Sequence, residues 1–247
     1  MRAFLISALI LAGCAKTGAA AEAQPSSCQA QMFEESRFTV CDPDKGRLEL
    51  VAAGPRETAI RRLADLESGL GPKADNVAFA MNAGMYDDNG RPIGLAIVDG
   101  GQKHAINRRK GGGNFHLMPN GVFQVRKNGR AEIVTSDSWQ PSPDIRFATQ
   151  SGPMLVIDGR LHPAFEPDGM SRNIRNGVGV TTGGKALFVI SDDAVSFGKF
   201  ARFFRDRLKS RNALFFDGSV SALWDPVNGR RDLTKPLGPM VVAFKPR

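Results

Sequence analysis

At 247 residues the chain is long enough for one sizeable domain with its own core, and 42% hydrophobic with 23% charged residues is ordinary for a soluble globular protein. A formal net charge of +8 is not ordinary. It points to anionic partners (phosphorylated glycans, anionic lipid surfaces or nucleic acid), or else to lysines and arginines that simply decorate the surface. With one tyrosine, two tryptophans and no recognition motif, nucleic acid is the first partner to be excluded.

Met1-Arg2 is a short positive start, and Ala3 to Ala12 is an almost unbroken apolar run. A membrane span needs about 20 such residues, so this run reads as the apolar region of a signal peptide. It ends in Leu11-Ala12-Gly13-Cys14, which resembles the bacterial lipobox. That resemblance implies a lipoprotein signal peptide over residues 1–13 and an acylated Cys14. It also implies an exported protein held in the bacterial cell envelope, with Ala15 favouring the outer membrane or periplasmic side. An ordinary signal peptide with an incidental cysteine is the plainer reading. With Cys14 lipidated, Cys28 and Cys41 are left for a disulfide, which persists outside the cytoplasm. Closing that loop is worth roughly 3 kcal/mol; two buried free thiols are the alternative.

Residues 14–27 are small, polar and Pro-containing, and read as a flexible tether before a domain over 28–247. Phe38-Thr39-Val40 and Leu48 to Ala52 read as strands. A helix is expected near Glu57 to Leu70, where Ile60, Leu63, Leu66 and Leu70 recur at helical spacing. Val77 to Met81 and Ile93 to Val98 read as strands, the second turning at Asp99-Gly100-Gly101. Asn120-Gly121, Asn128-Gly129, Asp158-Gly159 and Gly183-Gly184 are turn signals between further short strands. Ala186 to Ile190 is a strongly apolar strand. A second helix near Ser196 to Lys209 carries Phe197, Phe200, Ala201, Phe204 and Leu208 on one face, before strands at Ala213 to Phe216 and Met240 to Phe244. Many strands and two helices predict a single α+β domain with a mixed, largely antiparallel sheet and a few packed helices.

Three polar clusters fall at the ends of apolar strands. They are Asn82-Ala83-Gly84-Met85-Tyr86 with Asp87-Asp88, then Ser151-Gly152-Pro153 with Arg172 to Gly179, and finally Asp217-Gly218-Ser219-Val220-Ser221, preceded by Ser191-Asp192-Asp193. Each alone is turn chemistry first. In this order they resemble the phosphodiester glycosidase domain family, which carries Asn-Gly-Gly-aromatic, Ser-Gly-Pro, Arg-Thr-x-x-Gly and Asp-Gly-Gly segments. The resemblance runs from about Phe38 to Phe244. Ala83, Asn176 and Ser219 depart from it, as a divergent bacterial branch would.

The resemblance implies hydrolysis of a sugar-1-phosphodiester. No cofactor and no metal are expected, and a calcium ion near Asp87 and Asp88 has no support in the sequence. A glycosidase commonly uses two carboxylates. A phosphate leaving group is already a weak base, so stabilising its charge matters more than protonating it, and an arginine fork suits that. Asp217, Asp192 and Arg175 are the catalytic candidates, Arg175 as the phosphate clamp with Arg172 as its alternative. Asp192 partners Asp217 if their strands are neighbours. Asn82, Tyr86, Ser151, Gly152, Arg172, Asn176, Gly218 and Ser219 are the substrate-binding candidates. The plain structural roles are a turn cap for Asp217, an ion pair for Arg175 and a helix cap for Asp192-Asp193. The basic loop Arg108 to Asn114 reads as solvated surface.

No Gly-x-Ser-x-Gly elbow, Walker loop or His-Glu-x-x-His pattern is present, and His104, His116 and His162 are scattered. The expected partners are therefore a small-molecule or glycan phosphodiester and a membrane reached through the N-terminal lipid. A competing reading is a lipid-anchored module that binds an anionic glycan without cleaving it.

Overall fold

A computed structural model describes residues 25–217, 220–233 and 235–246; the signal segment, Cys14, most of the tether, Gly218 and Ser219 lie outside them. The described strands, in chain order, are β1 (Cys28–Phe33), β2 (Ser36–Cys41), β3 (Leu48–Val51), β4 (Val77–Asn82), β5 (Ala96–Val98), β6 (Gly101–His104), β7 (Gly121–Arg126), β8 (Ala131–Thr135) and β9 (Ile145–Ser151). They continue as β10 (Met154–Ile157), β11 (Arg160–Leu161), β12 (Asn176–Thr181), β13 (Ala186–Ser191), β14 (Ser210–Phe215), β15 (Leu223–Asp225), β16 (Arg230–Arg231) and β17 (Met240–Phe244). Two helices accompany them, α1 (Leu63–Leu70) and α2 (Phe197–Arg202).

Three sheets form, with orders β1-β2-β13-β12-β14-β10-β11, β16-β15-β4-β17-β3 and β6-β5-β9-β7-β8. Their pairings among the described residues are antiparallel, with β4 bonded on both sides, to β15 and β17. One aromatic residue from each sheet reaches the shared interior: Phe188 lies 5.4 Å from Phe79 and 5.6 Å from Phe123, ring centre to ring centre. Strands whose two faces are both covered read as continuous apolar runs, and Val77-Ala78-Phe79-Ala80-Met81 is one.

The outer face of the seven-stranded sheet is closed by α2, whose Phe200 packs with Phe38, Phe203 and Phe204. Ser196 caps this helix by accepting a hydrogen bond from the Lys199 N–H, a role the sequence offered to Asp192-Asp193. The helix continues as a wider π turn over Phe203–Arg207. Leu63 and Leu66 of α1 are buried over the second sheet. This helix starts later than its periodicity predicts, the backbone still being extended at Arg62 just before it.

Cys28 and Cys41 are cross-strand partners of β1 and β2 and are joined as a disulfide. The tether's last residues are held by the domain: Ser26 donates to the Asp225 carboxylate at 2.8 Å, and the Asp42 N–H donates to the Ser27 carbonyl at 2.8 Å. Asn120-Gly121 makes no hairpin turn. Asn120 is fully buried, its amide donating to the Phe115 carbonyl at 2.9 Å, and Gly121 opens β7.

Candidate active site

Asn82 ends β4 in the second sheet, and Asn176 begins β12 in the first. Their amides meet across the gap between sheets. Asn176 Nδ2 donates to the Asn82 carbonyl at 2.8 Å and to Asn82 Oδ1 at 2.9 Å, while Asn82 Nδ2 lies 3.4 Å from Asn176 Oδ1. Asn82 Oδ1 also accepts from the Ala222 N–H at 2.8 Å. Both side chains are at most 1% exposed, a burial that only a fully bonded amide tolerates.

Asp217 follows directly on this pair. Its N–H donates to Asn176 Oδ1 at 3.2 Å. Ser221 folds the segment back, donating to the Asp217 carbonyl at 2.7 Å and lying 3.2 Å from Asn176 Oδ1. Ser151, at the end of β9 in the third sheet, donates to the Phe216 carbonyl at 2.6 Å. So Asn82, Ser151 and Asn176 bring one residue from each sheet to the start of the Asp217 segment.

The Ser151-Gly152-Pro153 segment owes its small residue to packing. A Cβ on Gly152 would lie 2.6 Å from Asn120 Cβ and 2.8 Å from the Phe115 carbonyl oxygen. Tyr86 enters from the loop after β4 and donates to the Pro236 carbonyl at 2.8 Å. Gly238 leaves room for its ring, since a Cβ there would lie 2.2 Å from Tyr86 Cγ. Burial pushes the Tyr86 phenol up to about 12, the Asp217 carboxylate adds to the rise, and Arg61, 5.6 Å above the ring, opposes it. Tyr86 and Asp217 are therefore electrostatic neighbours.

Arg175 lies elsewhere. Consecutive strand residues point to opposite faces. Where Asn176 meets Asn82, Arg175 turns under α2 with its guanidinium carbon 3.7 Å from the centre of the Phe197 ring. It is 1% exposed, with Nε donating to the Val195 carbonyl at 2.9 Å and Nη2 to the Ser171 carbonyl at 2.8 Å. Burial lowers it to about 10, so it remains a cation at neutral pH. Arg172 is exposed on the loop that Arg175 fastens.

Asp192 does not neighbour Asp217 through adjacent strands, because β13 and β14 both pair with β12, one on each side. Its carboxylate is engaged by Arg230 Nη1 at 2.7 Å and by the Thr39 hydroxyl at 2.9 Å. Arg230 also binds Asp232. Burial works against its charge, but Asp232 and then Asp192 outweigh it and hold Arg230 above its ordinary value. Ser221, Thr39, Arg230 and Arg61 were not among the sequence candidates. Ser221 lies inside the Asp-Gly cluster and its spacing made it findable; nothing local marks the other three.

The chain can now be set beside known proteins. The sequence profile of the phosphodiester glycosidase family matches residues 75–238. The uncharacterized protein YigE of Escherichia coli K12 is 40% identical over 162 residues, which is 66% of this chain and 61% of that protein. The chain thus spans about three fifths of that relative's length. In fold it is similar to the catalytic domain of zebrafish N-acetylglucosamine-1-phosphodiester α-N-acetylglucosaminidase, solved auto-inhibited by its pro-peptide, at a TM-score of 0.57 and 15% identity over 89% of this chain and 82% of that one. A hypothetical protein from Synechocystis matches at a TM-score of 0.54 and 14% identity, over 89% of this chain and 61% of that one. The family match covers the Asn82, Ser151, Asn176 and Asp217 segments together, and this chain belongs to the phosphodiester glycosidase family.

Proposed function

We propose that this chain is an exported, lipid-anchored hydrolase that cleaves the glycosidic bond of a sugar-1-phosphodiester and releases the sugar and a phosphomonoester. The observation that carries this reading is the convergence of the three sheets on Asp217, whose carboxylate neighbours Tyr86 and whose backbone is held by Asn176. A carboxylate so fixed can stabilise an oxocarbenium-like centre or activate water without reorganising during the reaction. Because the departing phosphate is a weak base, the acid has little to do, and cationic stabilisation takes its place. Exposed Arg172 is our candidate to meet that phosphate, with buried Arg175 acting as a positioning residue that holds the Ser171 end of the loop. Asp192, bound to Arg230, has a positioning role across the sheets.

The test is sugar release from a panel of α- and β-linked sugar-1-phosphodiesters by wild type, Asp217→Asn and Arg172→Ala. Asp217→Asn is expected to fold normally and lose about 10³-fold or more in turnover; an unchanged rate removes Asp217 from the chemistry. Arg172→Ala is expected to lose about 10²-fold. The burial of Arg175 and the ion pairing of Asp192 favour a second reading, a module that binds a phosphorylated glycan without cleaving it. Saturable binding with no release from any panel member would establish that reading in place of the first.

A further inference from the structure

Away from the Asp217 site, two neighbouring concavities open at the other end of the second sheet. One, of about 490 Å³, is lined by Lys45, Arg47, Lys73 and Lys245 with Asn76 and Phe244. The next, of about 410 Å³, shares Lys45 and Arg47 and adds Lys127 and Arg146. Six cations therefore border one continuous trough, and no carboxylate side chain lines either half.

The trough's charge is only partly answered from within the protein. Arg47 pairs with Glu49 and stacks on Phe244, while Arg146 donates to the Leu48 carbonyl at 2.7 Å. Burial lowers the Arg146 guanidinium and the nearby charge of Arg47 lowers it further, so like charges crowd here. The ammonium groups of Lys45, Lys73 and Lys127 have no ion pair or hydrogen bond among the described residues. With Glu49 on Arg47 and Asp99 acting on Arg146 as the counter-charges, cations remain in excess, and such an excess marks a surface that meets an anion from outside.

Two placements identify that anion. The strand β4 runs from Val77, beside the trough, to Asn82 at the candidate active site, a span of about 17 Å at roughly 3.4 Å per residue. Whatever occupies the trough leaves the active site facing the opposite way. Second, the described chain begins on the trough's flank: Pro25, Ser26 and Ser27 line a further hollow with Asp42 and Asp44, the residue next to Lys45. The segment that carries the lipobox-like Cys14 therefore enters the domain beside Asp42 and Asp44, one residue along the chain from the trough's Lys45.

We propose that this trough is a docking face for an anionic membrane, with phospholipid headgroups against Lys45, Arg47, Lys73, Lys127, Arg146 and Lys245. The inference rests on the lipid-anchor reading of the N-terminus for its orientation, but not on the hydrolytic reading. A basic patch adds an attraction to anionic headgroups to whatever hold the N-terminal lipid supplies, and it sets which face of the domain meets the bilayer. Held this way, the domain lies on the bilayer with Asp217 turned toward the aqueous phase.

The experiment uses the chain from residue 14 onward with Cys14→Ser, which retains every described residue and carries no acyl group. Flotation is measured with phosphatidylcholine vesicles and with vesicles containing about a third phosphatidylglycerol, at about 0.15 M and about 0.5 M salt. Binding to the anionic vesicles alone, abolished by the higher salt, is expected. The fourfold variant Lys45→Gln, Lys73→Gln, Lys127→Gln, Lys245→Gln is expected to lose about 100-fold or more in partitioning, each removed cation being worth roughly 5-fold. A control variant, Arg56→Gln, Arg109→Gln, Lys110→Gln, Arg160→Gln, removes the same charge elsewhere and is expected to keep most of the binding. Equal losses in both variants, or equal binding to neutral vesicles, overturn the proposal. So does tight binding of soluble polyphosphate with no vesicle binding, which would assign the trough to an anionic polymer. Sugar release by the fourfold variant is read separately and is expected to match the parent, so failure of the docking face and failure of the hydrolase reading remain distinguishable.

Discussion

Arg175 and Asn176 are consecutive, both polar and both at most 1% exposed, yet they answer burial in different ways. Asn176 is neutral and is matched by a second amide from another sheet, so each polar atom finds a partner and the two sheets are locked in register. Arg175 is a cation with no carboxylate partner among the described residues, held by two carbonyls and the face of Phe197. The neutral pair costs little to bury and specifies geometry. The cation costs more and is tolerated because carbonyl dipoles and a ring quadrupole replace its water. Two consecutive residues can thus join two sheets on one face and fasten a loop on the other.

The comparison breaks most visibly at Arg175. Arg175→Ala is expected to cost about 3–5 kcal/mol in urea denaturation, through the cavity and the carbonyls left unpaired. A variant of unchanged stability that has lost sugar release would make Arg175 the phosphate clamp after all. At the amide pair, Asn82→Ala and Asn176→Ala should each cost about 2–3 kcal/mol. A double-mutant cycle should return a coupling of about 1–2 kcal/mol, and additive effects would mean that the pair does not join the sheets. Ser151→Ala, which removes the bond to the Phe216 carbonyl, is expected to cost about 1 kcal/mol and to lower turnover through the displaced Asp217 segment.

The smallest effect is spectroscopic. Tyr86 is the chain's single tyrosine, so phenolate absorbance reports it alone. With its phenol at about 12, roughly 3% ionises at pH 10.5, against roughly three quarters for an ordinary phenol. Asp217→Asn should raise that fraction. No change on that substitution would separate Tyr86 from Asp217. The sign for stability follows from the raised value: the folded state keeps a proton the unfolded chain has lost. The contribution is thus present below pH 10 and is lost as pH rises toward 12.

Much of this was legible in the sequence because burial on both faces leaves long apolar runs: β4, β13 and β17 announce themselves. The polar endings of β4 and β14, Asn82 and the Asp217 segment, marked residues that the fold brings together, while Ser191-Asp192 at the end of β13 marked a separate polar cluster. What stayed hidden depends on register. Nothing local says whether Arg175 or Asn176 faces the site, since a one-residue slip exchanges them. Nor could the sequence say that β12 separates Asp192 from Asp217, or that Arg230 would claim Asp192. The edge strand β1 was missed because its glutamines, exposed Gln29 and half-buried Gln31, dilute the apolar signal. Asn120-Gly121 misled because turn chemistry was read where the amide serves a buried carbonyl.

The position of β17 has a temporal consequence. It lies between β3 and β4, pairing Met240 with both Val51 and Asn82. A chain delivered from its N-terminal side presents β3 and β4 long before the strand that joins them, and long-range pairings of this kind form slowly. Until Met240–Phe244 emerges, β4 has an unfilled edge and Asn82 lacks its support on that side. Until then the chain is exposed to mispairing along that edge, and the support of Asn82 is completed only when β17 slots in.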